Sequence, residues 1–332
     1  MEGQFTRVLP VVMRVRSKLC RFTKPLLAVL CLLVGAAQGG ESYIAVESFS
    51  GKIVLELDAD KKRPVASLTK IATAMVVLDW AKLSGASMAE MAIVPQGASL
   101  LGGSNPMGLI PGDRISLREA MYSMLLGSDN VAASTLADHA GRSIQNRSGG
   151  ASPEVAFVTE MNNLARGIGM KRTRFVNPHG MDTIKAQGNS TARDMARLAI
   201  YAMRDPGFQF YVKQTERTIS SFRVNEKRSF KVRNTHALIG RGDVKGIKSG
   251  STVLAGPCAA TSSEKKPIVS KLPTGATQLM GRRLIIIALG SPDRWAITQT
   301  LINQGWAAYD NWQRQGQPVK EARELLTVPK PK

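Results

Sequence analysis

The stretch Ala66-Ser67-Leu68-Thr69-Lys70-Ile71-Ala72-Thr73-Ala74-Met75-Val76-Val77-Leu78-Asp79 carries the apolar residues Ile71, Met75 and Leu78 at helical spacing. Ser67 therefore opens a helix. Lys70 lies three residues on, about 300° around at roughly 100° per residue, so its amine returns to the face that carries the Ser67 hydroxyl. A serine hydroxyl is a poor nucleophile at neutral pH, and a lysine that is desolvated or faces another cation can lose its proton and accept the serine's. The helix start adds unpaired backbone N–H groups and a positive dipole end, which suit an oxyanion. Ser-x-x-Lys alone arises by chance in any helix with surface serines and lysines, so its meaning depends on partners elsewhere in the chain.

At 332 residues the chain has room for one large domain or two small ones. Its start stands apart. Arg7, Arg14, Arg16, Lys18, Arg21 and Lys24 precede an apolar run from Pro25 to Ala37, and small residues follow to Gly40. This is the pattern of a secretory signal peptide over residues 1–39, cut near Ala37 or Gly39, with a run too short to span a bilayer comfortably. The bulky Leu30 before Cys31 argues against a lipoprotein site. Cys20 and Cys31 leave with the leader and only Cys258 remains, which excludes an internal disulfide and a cysteine-based metal site. His139, His179 and His236 show no ligand spacing, so neither metal nor cofactor is expected.

The net charge is +20; the leader holds six basic residues and one acid, Glu2, so +15 stays with the exported chain. Such a charge favours anionic surroundings. Nucleic acid is not an expected partner, because aromatic residues are 5% of the chain and Lys61-Lys62-Arg63, Lys265-Lys266 and Arg282-Arg283 are separate short runs. Export points to the periplasm or cell envelope.

Ser42–Val46 and Lys52–Leu57 read as a hairpin, and Glu216–Arg223 with Ser229–Arg233 as a second. Ser116-Leu117-Arg118-Glu119 is a capping box opening a helix, Val131–Ala140 and Pro153–Gly167 are helical, and Asn189–Asp194 caps a helix running to Met203. Ser128 and Asn130 fall in a tight turn between helices, where alternation puts them on one side and Asp129 on the other. Arg283–Leu289 is an apolar strand and Pro292–Trp312 a helix. Strands at both ends and a helical middle predict an α+β fold: an antiparallel sheet flanked by helices, with an inserted all-helical lobe over about 68–203. The expected domain spans 40–312, followed by a tail, 313–332, too charged for an amphipathic membrane anchor. Ala259–Gly281, rich in Ser, Lys, Pro and Gly, reads as a long loop near the site edge.

Ser67-Leu68-Thr69-Lys70, Ser128-Asp129-Asn130 and Lys248-Ser249-Gly250 stand in that order. With this set the chain resembles the penicillin-binding active-site-serine peptidases, and among them the low-molecular-weight D-alanyl-D-alanine carboxypeptidases and endopeptidases. The resemblance runs from about Ser42 to Trp312 and takes in Pro64–Lys70, Gly108–Asp113, Phe175–Gly180 and Thr191–Asp194. It implies that Ser67 attacks an acyl carbonyl with Lys70 as base, that Ser128 relays a proton to the leaving amine, and that Asn130 holds the substrate amide. Lys248 supplies a positive charge beside Lys70, which lowers the amine's pKa, and suits a C-terminal carboxylate that Ser249 can also bind. The N–H groups of Ser67 and Ser251, the latter just past Gly250, are the expected oxyanion hole. Peptidoglycan stem peptides ending in D-Ala-D-Ala are the implied substrates, and β-lactams the implied covalent inhibitors.

The third motif has Ser249 where the family usually has threonine, which keeps the hydroxyl. Glu160 follows the Ser-Asp-Asn motif as a deacylating glutamate does in one lactamase class, but Leu164 stands where that pattern has asparagine, so Glu160 reads as a surface acid. Asp194 reads as a first-turn helix acid and His179 as structural. Two rivals share the fold: a serine β-lactamase and a non-catalytic penicillin-sensing or wall-binding module. Carboxypeptidase and endopeptidase action are not distinguished by these residues.

Overall fold

The computed structural model describes residues 40–183, 187–272 and 274–330. The leader, with Cys20 and Cys31, lies outside them. In chain order the elements are β1 (Ser42–Glu47), β2 (Ile53–Leu57), α1 (Lys70–Ser84), β3 (Met91–Ile93), β4 (Arg114–Ser116), α2 (Leu117–Leu126), α3 (Asn130–Ser148), α4 (Pro153–Gly167), α5 (Ala192–Ala202) and α6 (Pro206–Val212). There follow β5 (Glu216–Arg223), β6 (Glu226–Arg233), β7 (Val244–Thr252), β8 (Gly256–Lys271), β9 (Thr277–Leu289) and α7 (Arg294–Arg314). Helix starts are marked by side chains that accept orphan N–H groups: Ser116 from Glu119, Asp129 from Ala132, Ser152 from Val155, Thr191 from Asp194 and Asp293 from Ala296.

The fold is α+β. A five-stranded antiparallel sheet has the order β2-β1-β9-β8-β7, so its first and last thirds meet at the centre, with Ile44 opposite Ile287. Strand alternation then sorts the core. Ile44, Val46, Ile285, Ile287 and Leu289 face one large cluster with the helices α1–α5. Ala45, Leu284 and Ile286 face a second cluster with Leu301, Ile302, Trp306 and Tyr309 of α7. A Cβ at Gly305 would come within 3.1 Å of Leu284, so glycine lets α7 lie close to the sheet.

Two expectations are corrected. The 68–203 lobe is not all helix: β3 and β4 pair with the β5–β6 hairpin in a separate four-stranded sheet, β3-β4-β5-β6. Strands of three residues are too short to show alternation. The second correction concerns Ala259–Gly281, which falls in a long hairpin of the paired strands β8 and β9 rather than in a loop. Its base, Ala259-Ala260-Thr261-Ser262-Ser263, is buried in the sheet. Small residues with weak strand propensity fit there because helices pack against both faces. Beyond Glu264 and Arg283 the hairpin leaves the sheet as an arm: Lys271 is eleven residues along β8 from Ala260, the partner of Lys248, roughly 35 Å at about 3.3 Å per residue. The arm does not rim the site.

The last residues pack back on the body. Leu325 bridges Lys52, Leu326 N–H donates to Gly51 O at 2.7 Å, and Leu326 and Val328 are buried. Among the described residues no helix is long and apolar enough to cross a membrane.

Candidate active site

Ser67 lies in a 3-10 turn, Ala66–Thr69, just before α1 begins at Lys70. Ala66 has φ 49°, a left-handed conformation that costs an alanine energy and must be imposed by neighbours. Two backbones impose it. A Cβ at Gly180 would lie 2.0 Å from Ala66 O, and one at Gly250 would lie 2.6 Å from Ser67 N. Only glycine lets the 177–182 segment and β7 close on the turn from its two sides.

Lys70 is fully buried, and its Nζ is 2.9 Å from Ser67 Oγ, 2.7 Å from Asn130 Oδ1 and 2.7 Å from His179 O. Burial, and after it the charge of Lys248, holds its pKa well below the lysine range; Asp129 opposes this. Amide and carbonyl oxygens only accept. A neutral Lys70 gives its two N–H to Asn130 and His179, which leaves the lone pair for the Ser67 O–H.

Asn130 is the first residue of α3, and its Nδ2 donates to Gly102 O at 2.8 Å. Asp129 is its buried N-cap, accepting from Ala132 N–H and Ser123 Oγ–H. Ser128 takes φ 61°, is partly exposed, and its hydroxyl makes no hydrogen bond among the described residues. The extended alternation expected for 128–130 is therefore replaced by a left-handed residue and a helix start, because the Asp129 cap pulls Asn130 into α3.

Lys248 is buried on β7, where its Nζ donates to Ser249 O at 2.8 Å. Burial, then the nearby Arg294 guanidinium, lowers its pKa to about 7. Ser249 Oγ lies 3.1 Å from Thr235 O and 3.0 Å from Thr235 Oγ1, with a single O–H to donate between them. Arg294 Nη1 donates to Gly250 O at 2.7 Å, and Ser251 is exposed at the end of the strand. Lys248, Ser249, Gly250 and Ser251 thus stand on the strand that abuts Ser67.

Other candidates lie elsewhere. Glu160 accepts from Asn163 Nδ2 and lines a cavity of about 600 Å³ with Asp79, Trp80 and Tyr201, without Ser67. Asp194 accepts from Arg172 N–H and Thr173 Oγ–H near the start of α5. His179 contributes its backbone carbonyl; its ring Nδ1 accepts from Met181 N–H, and burial lowers its pKa to about 3. Among the described residues no group of three His, Cys, Asp or Glu could hold a metal ion. Sequence reasoning missed the His179 carbonyl, Gly180, Thr235 and Arg294. Of these only Gly180 and His179 carried a signal, within Asn177-Pro178-His179-Gly180.

Known proteins resemble this chain in sequence and in fold. The family model described as D-alanyl-D-alanine carboxypeptidase matches residues 36–279. A D-alanyl-D-alanine endopeptidase of Pseudomonas aeruginosa is 32% identical over 231 residues, 68% of each chain. A D-alanyl-D-alanine carboxypeptidase of Escherichia coli K12 is 32% identical over 222 residues, 65% of this chain and 51% of that one, so the match spans about half its length. Of solved structures, penicillin-binding protein D2 of Listeria monocytogenes in its ampicillin-bound form superposes with TM-score 0.64 at 26% identity, covering 80% of this chain and 96% of that one. The Streptomyces K15 DD-transpeptidase does so with TM-score 0.67 at 25% identity, covering 82% and 97%. With the family model matched over most of its length, this chain belongs to the D-alanyl-D-alanine carboxypeptidase family of serine peptidases.

Proposed function

We propose that the protein is an exported serine DD-peptidase of the cell envelope that cleaves peptidoglycan stem peptides through an acyl-enzyme on Ser67. The observation that carries this reading is the buried Lys70 amine held between Ser67 Oγ, Asn130 Oδ1 and His179 O. Ser67 Oγ attacks the acyl carbonyl as its proton passes to Lys70, and the oxyanion forms between the N–H groups of Ser67 and Ser251. Charged Lys248 and the Ser249 hydroxyl hold the substrate's terminal carboxylate, and Asn130 orients its amide. The bond to the departing amine then breaks, Ser128 relays the proton to that amine, and water hydrolyses the ester. The Ser128 hydroxyl, which makes no hydrogen bond among the described residues, is available for that relay.

A β-lactam presents the same acyl and carboxylate pair and acylates Ser67 in the same way. Glu160 sits away from Ser67, so a fast deacylating glutamate is missing from its expected place and the adduct persists. Incubation with purified uncrosslinked and crosslinked muropeptides tests the function. Release of D-alanine identifies a carboxypeptidase and loss of crosslinked dimer an endopeptidase; neither product from folded protein overturns the proposal. Export is tested separately by finding the chain, shortened at residue 37 or 39, in the periplasmic fraction.

A further inference from the structure

The segment 177–182 touches the Ser67 turn, Lys70, the loop at Gly103 and the end of β7. His179 O accepts from Lys70, Gly180 presses on Ala66 O, and the side chain of Met181 lies 3.2 Å from a Cβ built at Gly103, beside the loop whose Gly102 O receives Asn130. Asn177 stiffens the segment, with its Oδ1 taking Gly180 N–H at 2.6 Å and its Nδ2 donating to Met181 O at 3.0 Å. The final contact is made by Asp182. Its Oδ1 accepts from Thr252 Oγ1 and its Oδ2 from Leu254 N, both at 3.0 Å.

Those donors are the last residue of β7 and a residue of the turn that leads to β8, immediately past Ser251. The far side of the turn is anchored by the buried Ala255 and by the pairing of Thr252 with Gly256, but Val253 is 97% exposed and Leu254 50% exposed, so the tip gains nothing from packing. Thr252 Oγ1 also accepts from Ala255 N–H at 3.2 Å, which closes the turn on the hydroxyl that Asp182 binds. Among the described residues no cation pairs with Asp182, so both its oxygens serve the turn.

We infer that Asp182 is a positioning residue, whose carboxylate ties the end of β7 to the segment that fixes Lys70 and so sets where the Ser251 N–H stands relative to Ser67. The inference rests on the reading of Ser67 as nucleophile and of the Ser251 N–H as an oxyanion donor. A donor displaced by a fraction of an ångström stabilises the oxyanion less, while substrate binding through Lys248, Ser249 and Asn130 is unaffected. The loss falls on the chemical step.

The test is the rate of Ser67 acylation by a penicillin as a function of its concentration, in the full chain. Asp182→Ala is expected to lower the plateau rate by about 10- to 100-fold with half-saturation within about two-fold of wild type. Asp182→Asn can keep both bonds, its Oδ1 accepting from Leu254 N–H and its Nδ2 donating to Thr252 Oγ1, and is expected within about three-fold of wild type. The double variant Asp182→Ala, Thr252→Val should be no slower than Asp182→Ala alone, since both remove one clamp. A wild-type plateau in Asp182→Ala overturns the inference, as does an equal loss in Asp182→Asn or a loss confined to half-saturation. If Asp182→Ala is unfolded by circular dichroism, Thr252→Val alone carries the test: a lowered plateau at unchanged half-saturation supports the clamp, and an unchanged plateau overturns it. A wild-type protein that is never acylated at Ser67 overturns instead the reading on which the inference rests.

Discussion

Two buried lysines with opposite requirements share the site. In the proposed reaction Lys70 must be neutral to take the Ser67 proton, and Lys248 must be charged to hold a carboxylate. Burial lowers both pKa values, and Arg294 adds to the effect on Lys248. With a pKa of about 7 in the free protein, Lys248 is charged below that pH and neutral above it. The dependence of kcat/KM on pH therefore rises as Lys70 deprotonates and falls above about pH 7 as Lys248 loses its charge. Lys248→Arg keeps a cation that does not titrate, so its falling limb should vanish; an identical limb in that variant assigns the fall to another group. At this scale the sequence was most readable where two side chains meet at fixed helical spacing, as in Ser67 and Lys70. The His179 carbonyl has no side-chain signature, and Arg294 reaches Gly250 O from forty-four positions away, a contact that only the folded sheet creates.

Among the elements, helices were read more faithfully than strands. Capping residues such as Ser116, Ser152 and Thr191 announce helix starts locally, and their helices begin at the next residue. The β8–β9 hairpin was hidden because its buried half is built from Ala, Thr and Ser and its arm from Lys, Pro and Ser, neither showing an apolar alternation. β3 and β4 gain their meaning only from the β5–β6 hairpin more than a hundred residues later. The arm's position carries its own prediction. Replacing residues 266–280 by a short turn removes nothing within reach of Lys248, so kcat/KM on a soluble stem peptide should stay within about two-fold of wild type. A ten-fold fall would return the arm to the site edge.

The whole molecule depends on a sheet closed by its two ends, with charged and titratable groups enclosed between it and its helices. Burial holds His179 and His236 neutral, with pKa values of about 3. The unfolded chain binds protons on these rings near the ordinary value of about 6.5, so between about 6.5 and 3 unfolding takes up protons and stability falls as pH falls, by up to about 1.4 kcal/mol per pH unit for each ring. Asp129 and Asp194, raised by burial, act in the opposite direction. Thermal melts from pH 7 to 4 should show Tm falling less in His236→Gln than in the parent chain; equal slopes in the two would show that this ring is not held neutral. Topology was legible because strands at both termini and a helical middle leave few ways to close an antiparallel sheet. The central claim is that this closure delivers Gly250 and Gly180 against the Ser67 turn and so makes Ser67 an acylated nucleophile. Mass spectrometry after incubation with a penicillin tests it most directly: the account predicts one lasting adduct of the antibiotic's mass on the peptide containing Ser67, absent from Ser67→Ala, whereas folded protein with no adduct, or with its adduct on another residue, would contradict it.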